Sequence, residues 1–86
     1  MTPIKETITR ILEEKLALKK SDIKDEARLY EDLGVDSLDY LETIVEVENT
    51  FKINIPDDDY ERLRTVGSLV DYVTRKVSQR RVPQMA

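Results

Sequence analysis

In the stretch "LGVDSLDYLETIVEVE", Leu33 to Glu48, a single Asp-Ser-Leu stands between a glycine-containing turn and an apolar segment studded with acids. A serine hydroxyl is a weak nucleophile until a neighbouring base takes its proton, and that base is most often histidine. This chain has no His and no Cys, so it lacks the usual partner that would activate Ser37 from within. We therefore read the chain as a non-enzyme. Two roles remain for the serine. In one, Asp36 or Ser37 is a helix N-cap whose side-chain oxygen accepts from an unpaired N–H of the first turn. In the other, Ser37 is modified by a separate protein and carries a group.

The other cluster with chemical potential is Asp57, Asp58 and Asp59. A calcium loop needs oxygen ligands at alternate positions, a central Gly and a closing Glu, and "DDDYERLR" supplies neither that Gly nor the spacing. These acids are expected to face the positive end of a helix dipole, and no metal is expected. Without Cys, disulfides and thiolate metal sites are excluded, and the composition fits a reducing cytoplasm.

With 18 Asp plus Glu against 14 Lys plus Arg, the chain is unsuited to nucleic acid or anionic membranes, both of which call for a basic patch. Basic protein surfaces suit it better. At 86 residues it has room for one small domain with a single modest core. No apolar run approaches a membrane span. "MTPIKETITR" has neither the apolar core of a secretory signal nor the character of a transit peptide, and reads as the start of the folded domain.

The elements that must position Ser37 are helical, because apolar residues recur at spacings of three and four and no alternating pattern is sustained. A first helix can start with Thr2 as cap and Pro3 at its first position, with Ile4, Ile8, Ile11, Leu12 and Leu16 as its buried stripe. A long connection, "SDIKDEARLYEDLG", follows, and its isolated apolar residues (Ile23, Ala27, Leu29, Tyr30, Leu33) suggest a loop packed over the core. Gly34 permits a turn, and the Asp-Ser-Leu helix begins. "KINIP" reads as an extended bridge, then Pro56 and the three acids open a short helix with Tyr60 and Leu63 as contacts. Thr65 can cap a last helix carrying Val66, Leu69, Val70, Val73 and Val77. The expected domain is 1–78, followed by an aperiodic tail at 79–86 that is expected to fray.

Around the helix after Ser37, Tyr40, Ile44, Val47 and Phe51 form one stripe suited to the core. Leu38, Leu41 and Val45 form a second apolar strip, bordered by Glu42, Glu48 and Asn49, with Asp39 and Glu46 further round. A surface helix of a small bundle needs only one such stripe. Two readings fit the surplus: a docking surface for a partner with an apolar contact and a basic rim, or a strip covered by the long first loop.

"EDLGVDSLDYLETIVEVENTFKINIPDDDYERLRTVGSLVDYV" resembles the acyl carrier protein family, whose members show Gly-x-Asp-Ser-Leu, an acidic helix and an Ile-Pro-Asp turn. The likeness runs without gaps from about Ile4 to Val77. It implies an all-α fold, a four-helix bundle with a long first loop and a short third helix. It further implies that Ser37 is joined by a phosphodiester to 4′-phosphopantetheine, whose thiol holds acyl groups as thioesters for enzymes of fatty-acid, polyketide or related biosynthesis. The cofactor then brings the thiol and partners bring the catalysis. Expected partners are a phosphopantetheinyl transferase and acyl-loading and acyl-transferring enzymes with basic surfaces, docking on Asp36, Leu38, Asp39, Leu41, Glu42, Val45 and Glu48 of a monomer. An unmodified helical adaptor with the same fold is the competing expectation. Tyr40 and Tyr60 stand where the better-known fatty-acid carriers commonly have smaller residues, and Asn49 and Lys52 where acids are common. In the family cargo can be sheltered between the helices, so the two rings are expected to shrink that chamber; for Phe51, Ile55, Leu63 and Leu69 plain packing is the expectation.

Overall fold

A computed structural model describes residues 3–81. Helix α1 spans Pro3–Leu16, α2 spans Ser37–Phe51 and α3 spans Val66–Arg81, with a short 3-10 helix at Asp57–Arg62 between α2 and α3. The architecture is the expected all-α bundle of four helices. A single 3-10 turn, Lys20–Asp22, interrupts the long first connection.

Each helix buries the stripe that its spacing assigned. Ile8 and Leu12 of α1, Ile44 and Val47 of α2, and Leu69 and Val73 of α3 meet in one core, while Ile4, Leu16, Phe51, Val70 and Val77 are half-buried at its margin. Pro3 opens α1, where its missing N–H costs nothing; Thr2, its expected cap, lies outside the described residues. Ala17 ends α1 in the left-handed region at φ 54°, and Lys52 ends α2 there at φ 58°.

The long connection packs over the core as expected, with Ile23, Ala27 and Leu29 buried. What pins it is backbone pairing with the entry to α3: Leu29 N donates to Arg64 O at 2.8 Å, Val66 N to Ala27 O at 3.1 Å and Gly67 N to Asp25 O at 2.8 Å. A Lys5–Asp25 ion pair of 2.7 Å ties the same loop to α1.

Two expectations need adjustment. The short helix has 3-10 geometry, with Asp59 N bonding Pro56 O and Leu63 N bonding Tyr60 O, because six residues between two extended segments have little room to propagate α-helical bonds. At the other end, α3 continues to Arg81, three residues into the stretch read as tail. Gln and Arg are good helix formers, and positive charge suits a helix C-terminus, so the helix outlasts its apolar stripe. The rest of that stretch, 82–86, lies outside the described residues.

Candidate functional site

The turn before α2 is built from Gly34 at φ +69° and Val35, which is buried and donates its N–H to Leu29 O at 3.0 Å. Asp36 then adopts extended backbone, and its Oδ1 accepts from Asp39 N at 2.8 Å. Asp36 is thus the N-cap, and Ser37 is left as the exposed first residue of the helix. Both sequence readings concern the same turn, but the structure gives the capping to the aspartate and leaves the serine hydroxyl without a core role. No basic side chain among those described is bonded to that hydroxyl. The carboxylate of the preceding residue, Asp36, is already committed to the cap.

Leu38, Leu41 and Val45 are 65 %, 46 % and 52 % exposed. The long loop runs to the entry of α3 and leaves them exposed, which rules out the covered reading of that strip. Asp36 and Glu42 are exposed, and Asp39 is half-buried with its carbonyl accepting from Thr43 Oγ1 at 2.9 Å. Glu48 is a different case. Its Oε2 accepts from Ile55 N at 2.8 Å, so this carboxylate fixes the bridge after α2 as well as bordering the strip. Sequence reasoning missed Lys15, which reaches Glu46 at 3.7 Å and puts one cation from α1 at the far edge of the strip.

On the other side of Ser37 opens a cleft of about 450 Å³ whose walls include Tyr30, Tyr40, Leu41, Tyr60 and Arg64. Tyr40 is buried as its place in the core stripe requires, and its hydroxyl donates to Tyr60 O at 3.0 Å. Burial, reinforced by the neighbouring Tyr30 and Tyr60, pushes the Tyr40 phenol up to about 12. The rings of Tyr30 and Tyr40 are stacked with centroids 5.4 Å apart, and Tyr60 meets Tyr40 edge-on at 5.8 Å. Tyr40 and Tyr60 are the pair expected to narrow a chamber. Tyr30 was legible only as one apolar residue in a loop, since nothing in its local spacing brings it to Ser37. Ile55, Leu63 and Leu69 are buried in the core and Phe51 is half-buried beside it.

In the first turn of the short helix, Asp59 Oδ2 accepts from the hydroxyl of Tyr72 of α3 at 2.5 Å, and burial together with that carboxylate raises the Tyr72 phenol well above the ordinary value. Asp59 therefore has a structural partner from α3. Among the described residues no group of three or more His, Cys, Asp or Glu is placed to hold a metal ion.

Comparison with known proteins meets this geometry over most of the chain. Residues 6–73 match the family described as the phosphopantetheine attachment site. An acyl carrier protein of Chlorobium phaeobacteroides is 44 % identical over 73 residues, covering 85 % of this chain and 94 % of that relative. One from Amoebophilus asiaticus is 40 % identical over 80 residues, covering 93 % of this chain and all of the relative.

Proposed function

Because the chain belongs to the acyl carrier protein family, we propose that Ser37 bears its 4′-phosphopantetheine arm and that the uncovered strip of α2 presents the arm to partner enzymes. The family role is that of a carrier, not an enzyme: the arm supplies a thiol that holds an acyl group as a thioester, and partners perform the reactions.

The observation that carries the Ser37 assignment is an exposed hydroxyl at the first position of a helix whose cap is supplied by the residue before it. Attachment forms the bond from Ser37 Oγ to phosphorus as the pyrophosphate bond of coenzyme A breaks. The serine proton passes to the modifying enzyme, and the nucleotide half of coenzyme A leaves. An external base is needed, because the chain has no His and Asp36 is engaged with Asp39 N. The phosphodiester would lie at the start of α2, where free N–H groups and the helix dipole favour an anion. Asp36 and Asp39 oppose that attraction, which assigns their charge to partners instead.

Leu38, Leu41 and Val45 supply the apolar contact, with Asp36, Asp39 and Glu42 as the acidic rim and Glu48 at its margin. The partners are a phosphopantetheinyl transferase and acyl-loading and acyl-transferring enzymes with basic docking surfaces, in fatty-acid, polyketide or related biosynthesis. Nucleic acid is a poor match for this acidic face. No helix among the described residues is long and apolar enough to cross a membrane. The absence of cysteine fits a reducing cytoplasm, and the docking strip calls for enzymes, not a second copy.

Intact mass after incubation with coenzyme A and a phosphopantetheinyl transferase tests the assignment. The wild-type chain should gain one arm and Ser37→Ala none. A gain that survives in the alanine variant would put the site elsewhere, and no gain in the wild type would leave the unmodified adaptor.

A further inference from the structure

Three tyrosines converge beside Ser37 from three separate segments: Tyr30 from the long loop, Tyr40 from α2 and Tyr60 from the 3-10 helix. Their roles differ. Tyr40 is the floor, since it is 6 % exposed and its hydroxyl is held by Tyr60 O. Behind that floor Ile44 is 1 % exposed, and Val47 and Leu69 are at 0 %. Tyr30 is a wall, 46 % exposed and stacked on Tyr40 at an interplanar angle of 28°. Tyr60 closes the opposite side edge-on, at 76° to Tyr40.

We propose that this cleft receives the acyl group of the chain's own arm and selects short acyl groups bearing an aromatic ring over long saturated chains. The proposal rests on Ser37 being the attachment residue. An arm leaving Ser37 Oγ starts at the mouth of the cleft, because Ser37 is one of its lining residues. A flat ring entering there finds aromatic partners in the exposed Tyr30 and the half-buried Tyr60, and such rings pair favourably offset or edge-to-face. The hydroxyls of Tyr30 and Tyr60 suit polar substituents on such a ring.

A saturated chain finds no equivalent. Its rotatable bonds lose freedom on ordering, and the buried Tyr40 ring stands between the cleft and the α2 side of the core. Moving that ring breaks its bond to Tyr60 O and both of its ring contacts. The cleft volume of about 450 Å³ lies within the range of ordinary ligand clefts and admits either cargo, so the selection rests on the aromatic lining.

The test loads Ser37 with arms bearing benzoyl or octanoyl thioesters, by transferase and the matching acyl-coenzyme A. Hydroxylamine cleavage is then timed by intact mass, each rate being divided by that of the same thioester on free pantetheine. The benzoyl group should be protected about fivefold or more, the scale of one or two aromatic pairs, with shift changes at Tyr30, Tyr60 and Leu41. The octanoyl group should be cleaved at its free rate. Tyr30→Ala should abolish the benzoyl protection and Tyr30→Phe should retain it, since the ring and not the hydroxyl makes the stack. Equal protection of both cargoes, or octanoyl shifts spreading through Ile44, Val47 and Leu69, would overturn the proposal. So would indifference to Tyr30→Ala. A chain that gains no mass at Ser37 overturns the attachment reading, and this one with it; a mass gain without benzoyl protection overturns this proposal alone.

Discussion

The Tyr40 hydroxyl donates to the backbone carbonyl of Tyr60 at 3.0 Å, so the helix that bears Ser37 is tied to the 3-10 helix through the ring beneath the cleft. These two elements, joined in sequence by residues 52–56 alone, thereby keep a fixed separation on either side of the site.

Removing that hydroxyl takes one of two donors from the Tyr60 carbonyl, which keeps its bond from Leu63 N at 3.0 Å. Tyr40→Phe should lower stability by about 0.5–1.5 kcal/mol, the usual net worth of one hydrogen bond, while Ser37 is still modified. The same pair gives a pH signature. Tyr40 is raised from its ordinary value of 10.0 to about 12, so the fold favours the protonated phenol. Its contribution is complete below pH 10 and is lost as pH rises from there to about 12, where the unfolded chain has released a proton that the folded one retains. The loss approaches about 2–3 kcal/mol by this linkage. Denaturant unfolding of wild type and Tyr40→Phe across that window should converge and then cross toward the alkaline end. Parallel curves would mean that Tyr40 titrates alike in both states.

Capping and carrying are separable in this turn. Asp36→Ala removes the acceptor for Asp39 N and should cost about 1 kcal/mol. Ser37→Ala removes no cap and no buried group, so its unfolding midpoint should stay within experimental error of wild type even though loading is lost. Equal destabilisation by both substitutions would return Ser37 to a structural role.

Gly67 lies at the clasp between the long loop and α3. A Cβ built there would stand 3.0 Å from Asp25 O, the carbonyl that Gly67 N already bonds at 2.8 Å. Alanine would favour the helix by up to about 1 kcal/mol, but pushing the loop backbone away costs about 1–3 kcal/mol. The clash should win. Gly67→Ala is expected to be less stable by about 1 kcal/mol, with amide exchange rising at Ala27, Leu29 and Val66. Unchanged exchange would show that the loop yields at no cost.

The helices were legible because their stripes are self-contained: Ile8 and Leu12, Ile44 and Val47, and Leu69 and Val73 lie one turn apart and can be read within a single segment. The capped start of α2 was legible for the same reason, since Asp36 and Asp39 lie in one turn. Tyr30 was not, because its meeting with Tyr40 depends on the loop being drawn back to Arg64 and Gly67 by backbone bonds that no side-chain pattern announces. The second duty of Glu48 was hidden likewise. Only the return of Ile55 N to its carboxylate reveals it.

That duty changes how docking should be tested. Glu48→Lys would strand Ile55 N and disturb the bridge, so a lost rate could reflect folding instead of contact. Asp36 has the same defect through its cap. Glu42 has neither problem: it is exposed beside Leu41 and Val45, with no resolved bond to protect. Glu42→Lys should slow transferase loading and client turnover mainly through association, and the deficit should shrink as salt screens the charges. An exposed pair contributes about 0–1 kcal/mol, so the slowing should be a few-fold and not an abolition. Leu41→Ala removes apolar contact and should weaken docking in a way salt hardly alters. Rates for both variants across a salt series distinguish the contributions. If Glu42→Lys loads at the wild-type rate in low salt, partners approach Ser37 from another face, and the tyrosine side of the turn is the next surface to examine. Weak, screened contacts suit a carrier that must leave each enzyme after its turn.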